Sequence, residues 1–448
     1  MRSGKALLAL TVVFGALLAY LYFVDSKKPV GDAAEKHDKV FTVDASKLEE
    51  LTVKGTAGET TTLKKEKAGW QLVQPVTATA DESMVSGITS TLSTLENNGA
   101  VDDAPKDLAP YGLSQPRISV TFKSQGDKAA HTLLLGSKTP TGGDMYAQRG
   151  GEKAVFVVPA YVESNFDKKT FDLRDKTVLK FDRDAASRLE LAHGDVKSAF
   201  VKNGMDWMMA EPVKARADFS VIEGLVSRLQ SAQMIGLVTD NATDLKQYGL
   251  DAPSASATVG AGSARATLLI GSAATGQDKS GVYGKDASRP LVFILPQDLA
   301  DELKKNSDDL RKKDVFEFRP FNTTRIDITR GTQTMVFEKT KGTGKDTAEK
   351  WRRVAPTAGD VDAAKMEAVL TKFSNLRAQS FVDAKTPNGL ASPLITIKAV
   401  FDELHRNEQA SFGKVGSDVF AGRPDEPGAM KLTATEFDDA VKALDELK

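Results

Sequence analysis

The chain has 448 residues, 41% of them hydrophobic, and its 60 basic and 61 acidic side chains nearly cancel. This balance lacks the basic excess typical of nucleic-acid binders, and the absence of cysteine excludes disulfides, thiol catalysis and zinc–thiolate or iron–sulfur sites. At roughly 100–200 residues per domain, the length predicts two to four domains. The four histidines lie too far apart in sequence to suggest a metal site.

An apolar run of 19 uncharged residues occupies positions 6–24. As a helix it would be about 28 Å long, close to the roughly 30 Å thickness of the hydrocarbon core of a bilayer. It exceeds the roughly 7–15 apolar residues of a signal peptide, the main alternative, and no clean small-x-small cleavage site follows it. The sequence therefore predicts a cytoplasmic start and a transmembrane anchor in residues 1–28, then a flexible polar arm in residues 29–40. The bulk of the chain would lie outside the cytoplasm, tethered to the cytoplasmic membrane.

The three tryptophans of the chain each begin the same pattern, Trp-x4-Pro-x5-Asp. Its members are Trp70, Pro75 and Asp81, then Trp207, Pro212 and Asp218, then Trp351, Pro356 and Asp362. One interval separates the first two copies at the tryptophan, at the proline and at the aspartate, and we call it the repeat interval. An interval this long indicates duplicated domains, because solenoid repeats usually span roughly 20–50 residues.

The hexapeptides YGLSQP (111–116) and YGLDAP (248–253) repeat with the same interval. They place Tyr111, Gly112, Leu113 and Pro116 opposite Tyr248, Gly249, Leu250 and Pro253. The third copy keeps only Asn388-Gly389-Leu390 and Pro393. We therefore predict three tandem modules at residues 41–181, 182–320 and 321–448, the third of them divergent.

One module is predicted to contain both strands and helices. Apolar and polar residues alternate at 51–53, and a second strand leads through the tryptophan to the proline. After the aspartate, apolar residues recur at helical offsets of 0, 1, 4, 8 and 11. In the first copy these are Met84, Val85, Ile88, Leu92 and Leu95. Further strands follow YGLxxP, and Pro159 and Pro296 are expected to begin a closing helix. The predicted class is α+β, with an antiparallel or mixed sheet and packed helices in each module.

The repeated residues have both chemical and structural interpretations. The aspartates could be catalytic carboxylates, but each precedes the helical stripe, where an N-cap is needed. The tryptophans could line a ligand cleft, but a tryptophan at a strand end is more often a core residue. The YGL loop could bind a ligand, but its glycine also suits a turn with positive φ. The structural interpretation is favoured for all three.

Other motifs are weaker. The run Lys341-Gly342-Thr343-Gly344-Lys345 suggests a phosphate loop, but Lys339 occupies the position of its first glycine, so a hairpin turn is favoured. A hairpin is also favoured for Gly260-Ala261-Gly262. The Asp-Leu-Arg groups at 172–174 and 309–311 could form partner-facing ion pairs, although the end of a charged helix face is the preferred interpretation. We assign no catalytic, cofactor-binding or metal-binding residue, and no enzymatic activity.

These motifs, with LLLGSKTPTGGDMYAQ (133–148), AVFVVP (154–159) and FDLRDK (171–176), resemble the bacterial domain-of-unknown-function family 4340 (DUF4340). The resemblance covers nearly everything after residue 40, and it is partial in the third copy, which lacks the tyrosine and the Asp-Leu-Arg group. It implies a single-pass envelope protein, in some members beside ABC transporters of the gliding-motility type. It implies no catalytic residues.

Three functions follow as hypotheses. The first is an anchored extracytoplasmic scaffold with protein partners in the envelope, accessory to an ABC-type export or gliding-motility-like complex. The second is a periplasmic module that binds glycan or another ligand in a groove between copies, which an exposed aromatic boundary would favour and a charged one disfavour. The third is an enzyme with a site in one copy, which requires a deep pocket with convergent titratable groups.

Overall fold

The computed structural model describes residues 38–274, 280–341, 349–403 and 405–447. Their contacts divide the chain into two compact units, one ending at Lys176 and the other beginning at Thr177. The first unit contains one nine-stranded sheet and the second contains two. The predicted anchor at residues 6–24 and most of the polar arm lie outside the described residues. None of the helices that the structure describes is both long and apolar enough to cross a membrane.

The first module contains nine strands and two α-helices. The strands are β1 (Leu48–Lys54), β2 (Thr60–Glu66), β3 (Gly69–Gln74), β4 (Ala78–Thr79), β5 (Gly99–Asp102), β6 (Ile118–Ser124), β7 (His131–Lys138), β8 (Asp144–Arg149) and β9 (Val155–Pro159). The helices are α1 (Glu82–Thr94) and α2 (Val162–Phe166), with short 3-10 helices at Ala45–Lys47 and Ala109–Tyr111.

The second module has the same series of strands. They are β10 (Ala186–His193), β11 (Val196–Asn203), β12 (Asp206–Glu211), β13 (Ala215–Arg216), β14 (Gly236–Thr239), β15 (Ala255–Ala261), β16 (Ala264–Ala273), β17 (Val282–Asp286) and β18 (Val292–Leu295). The helices are α3 (Phe219–Ser231), α4 (Gln297–Glu302) and α5 (Ser307–Leu310), with a 3-10 helix at Lys246–Tyr248.

The third module repeats the series again. Its strands are β19 (Thr323–Arg330), β20 (Gln333–Lys341), β21 (Glu349–Ala355), β22 (Gly359–Asp360), β23 (Ala378–Val382), β24 (Ile395–Phe401), β25 (Arg406–Val415), β26 (Asp418–Gly422) and β27 (Ala429–Leu432). Its helices are α6 (Ala363–Ser374) and α7 (Ala434–Asp445).

The three sheets share one strand order. In the first it is β4-β3-β2-β1-β6-β7-β8-β9-β5, and the other two sheets have the equivalent order. Every pairing described between neighbouring strands is antiparallel, as in β1 with β6 and β5 with β9. The predicted repeated module with an antiparallel sheet is confirmed, whereas the α+β class needs correction, because the modules are mostly β.

The correction has a local cause at the closing helix. Pro159 ends β9, where it pairs with Asp144 across the sheet, and the helix begins only at Val162 and has five residues. Pro296 is the N-cap of α4 and lies outside the helix. The prolines therefore mark strand ends, and the helices that follow in the first two modules have only five and six residues.

Each core lies between its sheet and the long helix after the aspartate. In the first module Val85, Ile88 and Leu92 of α1 are buried. Alternate residues of β6 are buried too, which is the pattern of a strand with one face on a core. The helical stripe predicted from residue offsets thus marks the face of α1 that packs inward.

Candidate functional site

The repeated aspartates are N-caps of α1, α3 and α6. Each carboxylate accepts hydrogen bonds from backbone N–H groups two or three positions further on. The donors are Ser83 and Met84 for Asp81 (3.0 and 3.1 Å), Ser220 and Val221 for Asp218 (3.0 and 3.2 Å), and Lys365 for Asp362 (2.9 Å). Burial alone would raise the pKa of Asp81, but the hydrogen bonds from Ser83, Met84 and Lys176 outweigh it and lower the pKa. These carboxylates hold helix ends in place.

The repeated tryptophans are buried in equivalent strands β3, β12 and β21. The Trp207 indole N–H donates to Glu223 Oε1 at 2.8 Å, and Lys202 Nζ lies 5.5 Å from the ring centroid. Lys339 lies 5.5 Å from the Trp351 ring in the same way. The three rings therefore occupy matched core positions. The prolines that follow them, Pro75, Pro212 and Pro356, lie in exposed turns after cis peptide bonds.

The YGL segment packs its backbone closely against a neighbouring strand. Gly112, Gly249 and Gly389 have φ values of +68°, +64° and +71°. A Cβ on Gly136 of β7 or on Gly271 of β16 would lie 2.1 Å from the carbonyl oxygen of Tyr111 or Tyr248, respectively. Glycine is therefore required on both sides of this contact.

The side chains around this glycine contact also pack as a unit. The ring centroids of Tyr111 and Tyr146 lie 5.1 Å apart, as do those of Tyr248 and Tyr283. Leu113 and Leu250 are buried, and Pro116 and Pro253 precede β6 and β15. The YGL segment thus makes the same core contacts in both modules.

The Asp-Leu-Arg groups differ from both sequence interpretations. Leu173 and Leu310 are fully buried, and Arg174 and Arg311 are buried too. Arg311 lies just after α5, but it does not finish a solvent-facing helix surface. Its Nη2 lies 3.3 Å from Glu426 Oε2, an acidic residue of the third module. The sequence could not show this, because the two residues are 115 positions apart.

Six charged side chains, four of them on buried residues and two on partly buried ones, meet where the second and third modules join within the second unit. We call Arg216, Arg311, Glu317, Glu408, Arg423 and Glu426 the junction cluster. Arg216 Nε lies 2.5 Å from Glu426 Oε1, and Arg216 Nη2 donates to the Asp314 carbonyl at 2.9 Å. Arg216 and Arg311 therefore hold one carboxylate of the next module between them.

The other half of the junction cluster is built around Glu408. This carboxylate accepts hydrogen bonds from the backbone N–H groups of Glu317 and Phe318, both at 2.8 Å. Arg423 Nη1 donates to Glu408 at 2.9 Å and to the Val315 carbonyl at 2.9 Å. Glu408 thus ties Arg423 to the backbone of residues 317–318 beside Arg216.

Glu317 lies between three cations. Burial would raise its pKa, but Lys312 at 2.8 Å, together with the positive charges of Arg406 and Arg216, lowers the pKa to about 2. The junction cluster contains three arginines and three glutamates, so its formal charges cancel. Breaking such a buried pair leaves an unpaired charge and typically costs about 3–5 kcal/mol.

A cavity of about 250 Å³ adjoins this cluster. Arg216, Arg406, Phe219 and Trp207 are among its lining residues, and Phe219 is half exposed. Among the described residues Arg216 Nη1 has no hydrogen-bond partner, and it lies 3.6 Å from Glu317 Oε1. Charged side chains outnumber aromatic ones in this lining.

Sequence reasoning missed an arginine that binds the segment preceding the first strand of each sheet. Arg149 Nε donates to the Val40 carbonyl at 2.7 Å, and Arg289 Nη2 donates to the Thr177 carbonyl at 3.0 Å. Arg423 makes the equivalent bond in the third module. Aligning the modules by the repeat interval does not reveal that these arginines are equivalent, because the interval places Arg289 opposite Glu152.

Each of the first two modules has an ion pair that includes this arginine, but the acidic and basic residues occur in opposite order along the chain. Arg149 pairs with Glu152 at 3.2 Å, whereas Asp286 pairs with Arg289 at 2.9 Å. Both pairs are three residues apart, so comparing charge pairs instead of identities would have revealed the site.

A cavity of about 500 Å³ in the first module contains other titratable groups. His131 Nε2 lies 3.5 Å from Asp127 Oδ2, with both side chains substantially exposed, and Lys39, Asp44 and Lys47 also line the cavity. A hydrogen bond from the Ser46 hydroxyl lowers the pKa of Asp44. Across the described ranges, no three His, Asp or Glu side chains are placed to hold a metal ion.

The weaker glycine motifs lie at strand connections. Ala261 pairs with Ala264 across the turn that contains Gly262, which makes this segment a hairpin, as expected. Residues 342–348, which include most of the lysine- and glycine-rich run, lie outside the described residues. The strands that flank them, β20 and β21, pair antiparallel.

The fold and these sites define a tandem-repeat protein of nine-stranded antiparallel modules. The family described as "Domain of unknown function (DUF4340)" matches residues 70–206 and 207–393, which together exceed half of the chain. The chain belongs to this family. Both matches begin at a tryptophan, within β3 and β12, so the family unit starts in the third strand of one sheet and continues into the next sheet.

No curated protein matches the chain. Two crystal structures of the DNA polymerase sliding clamp from Pseudomonas aeruginosa align with it at very low similarity. The one with ligand has 7% identity and a TM-score of 0.18, covering 88% of this chain and 93% of the clamp. The other has 8% identity and a TM-score of 0.16, covering 88% and 94%. Scores this low support no conclusion about fold or function.

Proposed function

We propose that this protein is an extracytoplasmic scaffold, held in the cytoplasmic membrane by residues 6–24, that presents its modules to protein partners in the envelope. An accessory role in an ABC-type export or gliding-motility-like complex is the specific form suggested by the family resemblance. The proposal assigns no catalytic step to the chain.

The junction cluster is the observation that carries this proposal. Each member of the cluster is largely buried, and each arginine has a carboxylate partner, as for Arg216 with Glu426. Such pairs often add little net stability, and we infer that here they fix the geometry of the junction. A chain that holds two similar modules in one fixed arrangement is suited to presenting surface to a partner.

The repeated residues support the same function. The tryptophans, the aspartate caps and the YGL glycines all form packing or capping contacts within their own modules. Residues engaged in this way are not available as a shared catalytic set. This favours a structural role for the repeat over an enzyme duplicated three times.

Partner capture from native membranes tests the proposal. The full chain would be crosslinked in cells and purified in parallel with a form that lacks residues 1–28. We expect reproducible envelope proteins with the full chain and their depletion when the anchor is missing. Recovery of no reproducible partner by the full chain would exclude the scaffold function.

A further inference from the structure

The outer edge of the sheet beside the N-cap is covered by the chain itself in the first module. The Asp81 N–H donates to the Leu173 carbonyl at 2.9 Å, and the Asp175 N–H donates to the Thr79 carbonyl at 2.9 Å. These two bonds join the Asp-Leu-Arg segment to the edge next to β4 as a short antiparallel bridge. Leu173 then reaches the core.

The second module covers the same edge in the same way. The Asp218 N–H donates to the Leu310 carbonyl at 2.9 Å, and the Lys312 N–H donates to the Arg216 carbonyl at 3.0 Å. Leu310 is fully buried. In both modules, therefore, a segment containing Leu-Arg bonds to the N–H of the capping aspartate and to the carbonyl two residues before it.

The third module leaves the equivalent groups open in the part of the chain that the structure describes. Arg352 pairs with Asp360 as Met208 pairs with Arg216, so the register directs the Asp360 carbonyl and the Asp362 N–H away from β21. No backbone hydrogen bond to either outward group is found among the described residues. The Asp360 side chain is 98% exposed, against 9% for Arg216.

The last helix does not replace the missing bridge. Leu447, which the repeat interval aligns with Leu310, packs half-buried against the core of the third module. The nearby Glu446 carbonyl accepts from Lys365 Nζ at 3.0 Å. The apolar position is thus partly occupied while the backbone edge of β22 stays accessible.

We propose that the outer edge of β22 is a docking strand for an extended segment of a partner protein that carries a basic residue. The segment adds antiparallel to the edge and bonds to the Asp360 carbonyl and the Asp362 N–H. This deepens the scaffold function, on which it rests, by naming the surface and the chemistry of its partner.

Charge at this edge selects a basic segment. In the second module Arg311 lies beside Arg216, and both depend on Glu426 for a counter-charge. In the third module Asp360 occupies the position of Arg216. A basic residue of a docked segment, in the position of Arg311, would therefore lie next to the Asp360 carboxylate. The existing partner of Asp360, Arg352, is half exposed and 3.6 Å away, and it can be displaced at little cost.

A labelled peptide with the sequence of residues 306–313, NSDDLRKK, is the direct probe, because this chain already uses that segment on an equivalent edge. Its fluorescence anisotropy would be titrated with the full chain up to about 1 mM protein, where even weak edge pairing is measurable. We expect saturable binding, and at least tenfold weaker binding when the peptide arginine is replaced by glutamate. Absence of saturation would overturn the proposal.

Two variants at one position isolate the backbone bond. Asp362→Pro and Asp362→Ala both lose the capping carboxylate, but only proline removes the outward N–H, and the φ of −61° at Asp362 suits proline. We expect Asp362→Pro to bind the peptide at least tenfold more weakly than Asp362→Ala does. Equal binding by the two variants would show that the edge is not the site.

Charge reversal and partner capture complete the test. Asp360→Arg should weaken the basic peptide at least tenfold and strengthen a peptide in which the arginine is replaced by glutamate. In cells, Asp362→Pro should lose partners that Asp362→Ala retains. If both variants retain the same partners, the edge proposal fails and the scaffold function stands. If the wild-type chain recovers none, the scaffold function fails and the peptide titration alone decides whether the edge binds.

Discussion

The residues that recur in all modules differ from those that meet at the junction cluster. The tryptophans keep their place in the repeat and their burial from copy to copy. Arg216 does not recur, because Thr79 and Asp360 stand at the same distance after their tryptophans. The repeat interval aligns Glu426 with Arg289, which bears the opposite charge. Recurrent positions thus maintain the fold of one module, and variable ones determine what that module meets.

This difference separates two kinds of stability. A recurrent core residue acts within its own module, so its loss should have a similar cost wherever it occurs. A junction residue acts between two modules, so its loss should reduce the cooperativity with which they unfold. Equilibrium unfolding of the full chain can distinguish the two, provided that each variant has a matched control.

The largest effect is expected from Glu426→Gln. The substitution removes the carboxylate shared by Arg216 and Arg311 and leaves two buried guanidinium groups without it. We expect the free energy of unfolding of the second unit to fall by about 3–5 kcal/mol. Urea unfolding followed by tryptophan fluorescence would measure this.

Asp425→Asn is the matched control for that variant. Asp425 pairs with Arg423 in the same turn, but its side chain is half exposed. Its loss should cost less than about 1 kcal/mol, as is usual for partly solvated pairs. If Glu426→Gln proved as mild as Asp425→Asn, the junction cluster would not be what holds the second and third modules together.

Acid should weaken the junction through Glu317. Its folded-state pKa of about 2 lies below the ordinary value of 4.5, since Lys312, Arg406 and Arg216 stabilise the charged form. The stabilisation is therefore complete above pH 4.5 and is lost as the pH falls from 4.5 towards 2. Its size is on the order of 3 kcal/mol.

A Glu317→Gln variant isolates this contribution from those of other carboxylates. The difference in unfolding free energy between wild type and variant should shrink as the pH falls from 5 to 2. Glu190→Gln is a suitable comparison, because Glu190 also pairs with two arginines but on the surface. A pH-independent difference for Glu317→Gln would contradict the depressed pKa.

The sequence predicted what a module contains better than it predicted how modules meet. Matched spacing found the helix caps, the core tryptophans and the glycine turn, because each depends on neighbours close in the chain. Alternating polarity identifies strands but not the strands they pair with, so it does not predict the order of the nine strands in the sheet. The contact between Arg216 and Glu426 spans 210 positions and has no local signal.

The sequence also does not show contacts that are the same in two modules but are made by residues at different aligned positions. Arg149 and Arg289 make the same bond to the first segment of their modules from different positions in the turn. The charged residues of the Asp-Leu-Arg groups favour a charged helix face, whereas Leu173 and Leu310 are fully buried. Both cases show that aligned positions can preserve a contact while the residue that makes it changes.

The smallest expected effect is at the helix caps, where the comparison predicts equality. Asp81→Ala, Asp218→Ala and Asp362→Ala should each cost about 1 kcal/mol, with Asp81 somewhat higher because it also pairs with Lys176 at 3.3 Å. Asparagine at the same positions should recover most of the loss, because its side-chain oxygen can also accept the N–H bonds. Urea midpoints for the six variants would measure both effects. If one cap variant alone lost as much unfolding free energy as Glu426→Gln, that aspartate would do more than cap its own helix. Recurrence in all modules would then not be enough to show that a residue acts only within its own module.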